Sequence, residues 1–103
     1  MSEIEILDQR FLPEPHKSTL AYFDILINGI IIKDFRIMRN GNGKTFVKYP
    51  FTTYKDRTGS IKFRQIIFFP ERVGEEVESL LLNTFFNREK ENVRGEKSIP
   101  ANL

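Results

Sequence analysis

Asn28-Gly29 stands directly between two apolar runs, residues 18–27 before it and Ile30-Ile31-Ile32 after it, and leaves only two residues to reverse the chain. A connection of that length is a type I′ hairpin turn, which needs positive φ at both central positions, and Asn followed by Gly adopts it at least cost. The two runs are therefore an antiparallel strand pair, and any fold of this chain is built on it. The run over 18–27 sets Ala21, Phe23, Ile25 and Ile27 on one side and Leu20, Tyr22, Asp24 and Leu26 on the other, apolar on nearly both faces.

Around this hairpin the pattern predicts three more strands. Residues 3–11 partly alternate apolar with polar, and Pro13 and Pro15 close that run because proline cannot donate to a ladder. The strand starting at Ile30 runs to about residue 38, interrupted by Lys33, Asp34 and Arg36, and ends in a second turn at Arg39-Asn40-Gly41-Asn42-Gly43. Residues 44–49 alternate again, Lys44, Phe46 and Lys48 against Thr45, Val47 and Tyr49, until Pro50. Residues 50–60 lack a core period and read as an exposed loop or a ragged hairpin arm; 61–69 is a fifth strand, stopped by Pro70.

Beyond Pro70 the period changes, with Val73, Val77, Leu80, Leu81, Thr84 and Phe85 recurring at three and four residues as the stripe of an amphipathic helix. Glu71, Glu75, Glu76 and Glu78 crowd its first half, where acids suit the positive end of the helix dipole. About sixteen residues of helix span roughly 24 Å, enough to cover one face of a small sheet. The expected fold is α+β, a small antiparallel sheet of about five strands with one C-terminal amphipathic helix. Residues 1–87 form one domain and 88–103 a polar, flexible tail with little to bury.

At 103 residues there is no room for two domains with a cleft between them, which excludes large multi-domain enzymes. The absence of cysteine excludes disulfide staples, thiolate metal sites and cysteine nucleophiles. Met1-Ser2-Glu3-Ile4-Glu5 lacks the basic end and apolar core of a signal peptide, so the cytoplasm is the expected compartment. With 40% hydrophobic and 29% charged residues the chain reads as globular, neither a disordered tail nor a membrane span.

Three features resemble catalytic or cofactor chemistry and fail on inspection. Gly41-Asn42-Gly43-Lys44-Thr45 looks like the end of a phosphate-binding loop, but the earlier glycine of that pattern is Met38 here, and a strand rather than a helix follows. His16, the one histidine, has no second His or Cys to complete a metal set and reads as a solvated loop residue. The glutamates of the helix are explained by its dipole. The expectation is a non-enzyme with no cofactor, no metal and no small-molecule substrate.

Charge is polarised along the chain. Residues 33–64 hold nine bases and two acids, Asp34 and Asp56, a net +7, while the remainder holds seven bases and twelve acids, a net −5. Such a chain can present one basic face to a polyanion. Phe51, Tyr54 and Phe63 interleave with those bases, which suits nucleic acid because cations meet phosphates and aromatic faces stack on unpaired bases. The alternation of Phe63 with Lys62 and Arg64 nevertheless predicts a core position for that ring. Asp34 and Arg36, two apart on one strand, are expected to support each other or a neighbouring strand.

The run Ile31-Ile32-Lys33-Asp34-Phe35-Arg36-Ile37, then Asn40-Gly41-Asn42-Gly43 and Phe46-Val47 with Pro50, resembles the SpoVG family, the stage V sporulation or septation regulators of bacteria. In the same order, Asp56 with Gly59 resembles that family's Asp-Gly loop, Phe63-Arg64-Gln65-Ile66 its Phe-Arg-Asp-Ile strand, and Phe69-Pro70 its His-Pro junction. The resemblance covers roughly residues 4–86 and ends with the amphipathic helix. It departs in the longer segment 50–60, in Phe69 where the family has histidine, and in a helix with few bases. What it implies is a small α+β homodimer that binds DNA or RNA and regulates gene expression or septation.

Two functions follow as expectations. In the first, a nucleic-acid-binding regulator neutralises phosphates with Lys44, Lys48, Lys55, Arg57, Lys62 and Arg64. In the second, a non-catalytic protein-interaction or structural dimer has no nucleic-acid ligand, its motive being a strand apolar on nearly both faces in a short chain.

Overall fold

The computed structural model describes the backbone of residues 3–16 and 18–101 and the side chains of residues 3–12 and 18–90. Six strands precede one helix: β1 (Ile4–His16), β2 (Thr19–Ile27), β3 (Ile30–Arg39), β4 (Thr45–Lys48), β5 (Phe51–Lys55), β6 (Ile61–Gln65) and α1 (Glu71–Ala101). The first four form one antiparallel sheet in the order β1-β2-β3-β4, and β5 and β6 form a separate two-stranded antiparallel sheet. The fold is the expected α+β arrangement of a small antiparallel sheet and a single C-terminal helix. Among the described residues no helix is long and apolar enough to cross a membrane.

The β2–β3 hairpin turns where the sequence requires it, with Asn28 at φ 49° and Gly29 at φ 83°. One face of the sheet carries Ala21, Phe23, Ile25 and Ile27 of β2, Phe35 and Ile37 of β3 and Val47 of β4, all buried. Against it lie Val77, Leu81 and Phe85 of α1, spaced by four so that they fall on one side of the helix. Phe11 closes the β1 end of this core, edge-on to Phe23 at 5.9 Å and stacked with Phe85 at 6.1 Å.

Three boundaries differ from the sequence expectation. β1 continues through Pro13 and Pro15 to His16, because it is an edge strand whose outer side needs no ladder donors. Its pairing is irregular there, shifting between Phe11 and His16. Of the two readings of segment 50–60 the hairpin arm is the one formed, Phe51–Lys55 pairing with Ile61–Gln65 around a tight turn at Asp56, whereas the strand expected over 61–69 ends at Gln65. The helix outlasts its apolar stripe and runs to Ala101. The side chains of His16 and of 91–103, most of the expected polar tail, lie outside the described residues.

Candidate nucleic-acid interface

The face of the four-stranded sheet turned away from α1 owes its chemistry to a bulge. Ile32 lies opposite Ile25 and Phe35 opposite Phe23, so Lys33 and Asp34 together face the single residue Asp24. Regular alternation from Ile32 would turn Arg36 into the core; the extra residue reverses the parity, sending Phe35 and Ile37 inward and Arg36 outward. Asp34 takes φ 68° at the bulge, and its N–H donates to Asp24 Oδ1 at 3.0 Å. Asp34 and Arg36 do not touch; each is engaged by a neighbouring strand.

Arg36 stands in a row that crosses the sheet at right angles to the strands. Arg10 pairs with Tyr22, Tyr22 with Arg36 and Arg36 with Lys48, one residue from each strand, over about 14 Å. Guanidinium groups flank the Tyr22 ring, Arg10 at 5.7 Å and Arg36 at 5.3 Å from its centroid. The β5–β6 hairpin extends the row: the Phe51 ring lies 4.8 Å from the Arg36 guanidinium and 5.0 Å from Lys48 Nζ, which is also 5.7 Å from the Phe63 ring. Cations and aromatic rings thus alternate from β1 to β6.

The two ends of the row differ electrostatically. Arg10 is shared by three carboxylates, bonded to Asp24 through both terminal nitrogens at 3.1 and 3.3 Å, to Asp34 at 3.1 Å, and to Asp8. Its charge is more than compensated locally. Arg36 has no carboxylate partner among the described residues, and its Nε is buried without an acceptor. The uncompensated positive charge therefore sits on Arg36 and Lys48, next to the hairpin.

The six bases singled out from the sequence do not form one patch. Lys48 belongs to the row. Lys62 and Arg64 lie on one face of the hairpin with Tyr54, where the Arg64 guanidinium packs 4.5 Å from the Tyr54 ring and Lys62 Nζ is 4.0 Å from Asp56 Oδ2. Lys55 lies on the opposite hairpin face beside Ile61, and Arg57 sits exposed in the turn. Lys44 is exposed in the β3–β4 turn, away from both groups. Phe63 is 64% exposed rather than buried, because among the described residues only the Lys48 side chain and the Phe51 ring approach it on the hairpin face it shares with Ile61. Arg36 and Tyr22 were not among the sequence candidates; the alternation of β2 already turns Tyr22 away from the core, and the bulge in β3 is what turns Arg36 outward beside it.

Two turns that present bases are built alike. Asn40 Oδ1 accepts the N–H groups of Asn42 and Lys44, each at 2.9 Å, and Asp56 Oδ1 accepts those of Thr58 at 2.9 Å and Ser60 at 3.0 Å. Gly43 and Gly59 occupy the same place in each, both at φ 85°. Gly41-Asn42-Gly43-Lys44-Thr45 is accordingly a hairpin turn leading into β4. The Thr58 hydroxyl, donating at 2.6 Å, holds the Asp56 carboxyl below the usual carboxylate range.

Hydrogen bonds from Arg10 hold Asp24 below the usual carboxylate range as well, against the opposing effect of its burial. A depressed folded pKa means that this stability is present above the unfolded value, about pH 4, and is lost as pH falls through the folded one. Asp24→Asn keeps an oxygen for the Asp34 N–H but removes the charge. We expect it to cost about 1–2 kcal/mol at pH 7, where Arg10 remains part-exposed, and to flatten the acid limb of stability below pH 4 in urea titrations. An acid limb identical to wild type would show that Asp24 does not titrate with folding.

No protein-family model matches the chain, and no curated protein matches its sequence.

Proposed function

We propose that the chain is a non-catalytic, SpoVG-like nucleic-acid-binding protein that acts in gene regulation or septation and uses the outer sheet face as its phosphate-binding surface. The observation that carries this reading is the Arg36 guanidinium, held between the Tyr22 and Phe51 rings with its Nε unpartnered and Lys48 beside it. A half-buried cation without a counter-ion is a stability liability, and a polyanionic ligand is the partner that removes it. Lys62 and Arg64, with Arg57 at the turn, add charge along the hairpin. The family likeness rests on the motifs quoted from the sequence, and it supports a homodimer acting on DNA or RNA.

Binding to a labelled nucleic acid, followed by fluorescence anisotropy, is expected to weaken steeply with salt, each neutralised phosphate adding about 0.7–0.9 to the log–log slope. Affinity that does not change with salt, or no affinity, would overturn the reading.

A second reading draws on a different observation. Ile61 and Phe63 on the hairpin, Ile66 and Phe68 after it, and Ile30 and Ile31 at the β2–β3 turn are all exposed. Apolar surface of that kind favours a protein-interaction dimer without a nucleic-acid ligand. Sedimentation of the purified chain as a dimer, together with flat anisotropy titrations, would select it.

A further inference from the structure

Next to the charged end of the row, β4, the 66–70 segment and α1 leave an open cleft of about 490 Å³, its walls including Phe46, Lys48, Tyr49, Gln65, Phe68 and Glu78. That volume lies within the range of small-ligand sites. Phe68 is 75% exposed, a side chain that contributes little to the core and offers a free ring face. Lys48 serves both surfaces, since it lines the cleft and its Nζ also approaches the Phe63 ring on the hairpin.

The polar groups of the cleft are mostly acceptors. Glu78 Oε2 takes the Tyr49 hydroxyl at 2.7 Å, and Oε1 is a second acceptor on the same carboxylate. Gln65 donates one amide N–H to the Ile67 carbonyl at 2.7 Å, which orients its amide, and the amide oxygen is its acceptor. Acceptors between aromatic walls, with one cation at the rim, match the N–H groups on the pairing edge of a nucleobase joined to a phosphate. In a duplex those N–H groups are already paired and the base faces already stacked.

We propose that the ligand is single-stranded and that one unpaired base enters this cleft, stacking on Phe68 and directing its N–H donors to Glu78 and Gln65, with its phosphate on Lys48. This rests on the nucleic-acid reading and narrows it. The Glu78 carboxylate adds selectivity, because it repels a phosphate backbone laid across the cleft and accepts from a base edge turned into it.

The test is anisotropy titration of the full chain with labelled single-stranded RNA, single-stranded DNA and a duplex of the same sequence, at two salt concentrations, for wild type, Phe68→Ala and Phe68→Trp. The expected result is tighter binding to a single strand than to the duplex. Phe68→Ala should weaken single-strand binding roughly five- to hundredfold with an unchanged salt slope, and Phe68→Trp should restore it. Equal affinity for duplex and single strand with no effect of Phe68→Ala would overturn the inference, while a steep salt slope in the same data would leave the nucleic-acid reading standing. No binding to any of the three overturns both. A Phe68→Ala chain that loses a dimer in sedimentation but keeps its affinity makes the ring a protein contact, and the inference falls.

Discussion

The double variant Arg36→Met, Lys48→Gln is expected to lose about two orders of magnitude in nucleic-acid affinity while its stability stays within about 1 kcal/mol of wild type. Each lost charge-assisted phosphate contact weakens binding by about 1.5 kcal/mol or more, so two of them approach a hundredfold, and the salt slope should fall by about 1.4–1.8. Stability holds because two effects oppose each other at Arg36. The guanidinium gains about 0.5–2 kcal/mol from each of Tyr22 and Phe51, but its charge is half-buried and its Nε unpartnered. Methionine fills the same slot between the rings with a polarisable thioether and leaves nothing unpaired. Urea denaturation beside anisotropy separates the outcomes. A loss above about 2 kcal/mol with binding intact would make Arg36 a structural residue and remove the observation on which the proposed function stands.

Legibility in the sequence follows how locally each feature is determined. The β2–β3 hairpin is set by two residues with a backbone preference of their own, Asn28 and Gly29. The helix core stripe is set by a period, and Val77, Leu81 and Phe85 fall where it predicts. The sequence does not decide between loop and hairpin arm over 50–60, because Thr52, Thr53, Tyr54 and Lys55 are polar or exposed on both hairpin faces and no alternation marks them. Arg36 was obscured for a different reason. Its outward aim depends on one extra residue at Lys33-Asp34, which the Asp24 carboxylate holds through the Asp34 N–H. A charge count over residues 33–64 registers the arginine but not the face it occupies. The same count gathered Lys44, Lys55 and Arg64 into one stretch, although Lys44 lies in the β3–β4 turn and the register places Lys55 and Arg64 on opposite faces of the hairpin.

Phe35 and Phe63 stand in nearly the same local sequence, between Asp34 and Arg36 in one case and Lys62 and Arg64 in the other, yet their substitution by alanine should differ by several kcal/mol. Phe35 is fully buried, stacked on Phe69 with centroids 6.4 Å apart and edge-on to Tyr49 at 5.6 Å. Tyr49 in turn bonds Glu78 of α1, so this ring joins β3, β4, the segment before the helix and the helix itself. Phe35→Ala is expected to cost about 3–5 kcal/mol from the lost transfer energy and the cavity left behind, a large share of the roughly 5–15 kcal/mol that holds a small domain folded. Phe63→Ala, at a site 64% exposed, should stay within about 0.5–1 kcal/mol, its main loss being the edge contact with Phe51 at 5.4 Å. The measurement is the urea midpoint of each variant at unchanged m-value. A Phe63→Ala loss as large as that of Phe35→Ala would show that the hairpin face is covered in solution, and a second copy of the chain would be the first candidate to cover it. A small loss at Phe63 leaves that ring free beside Lys48, where the alternating row of cations and rings needs it.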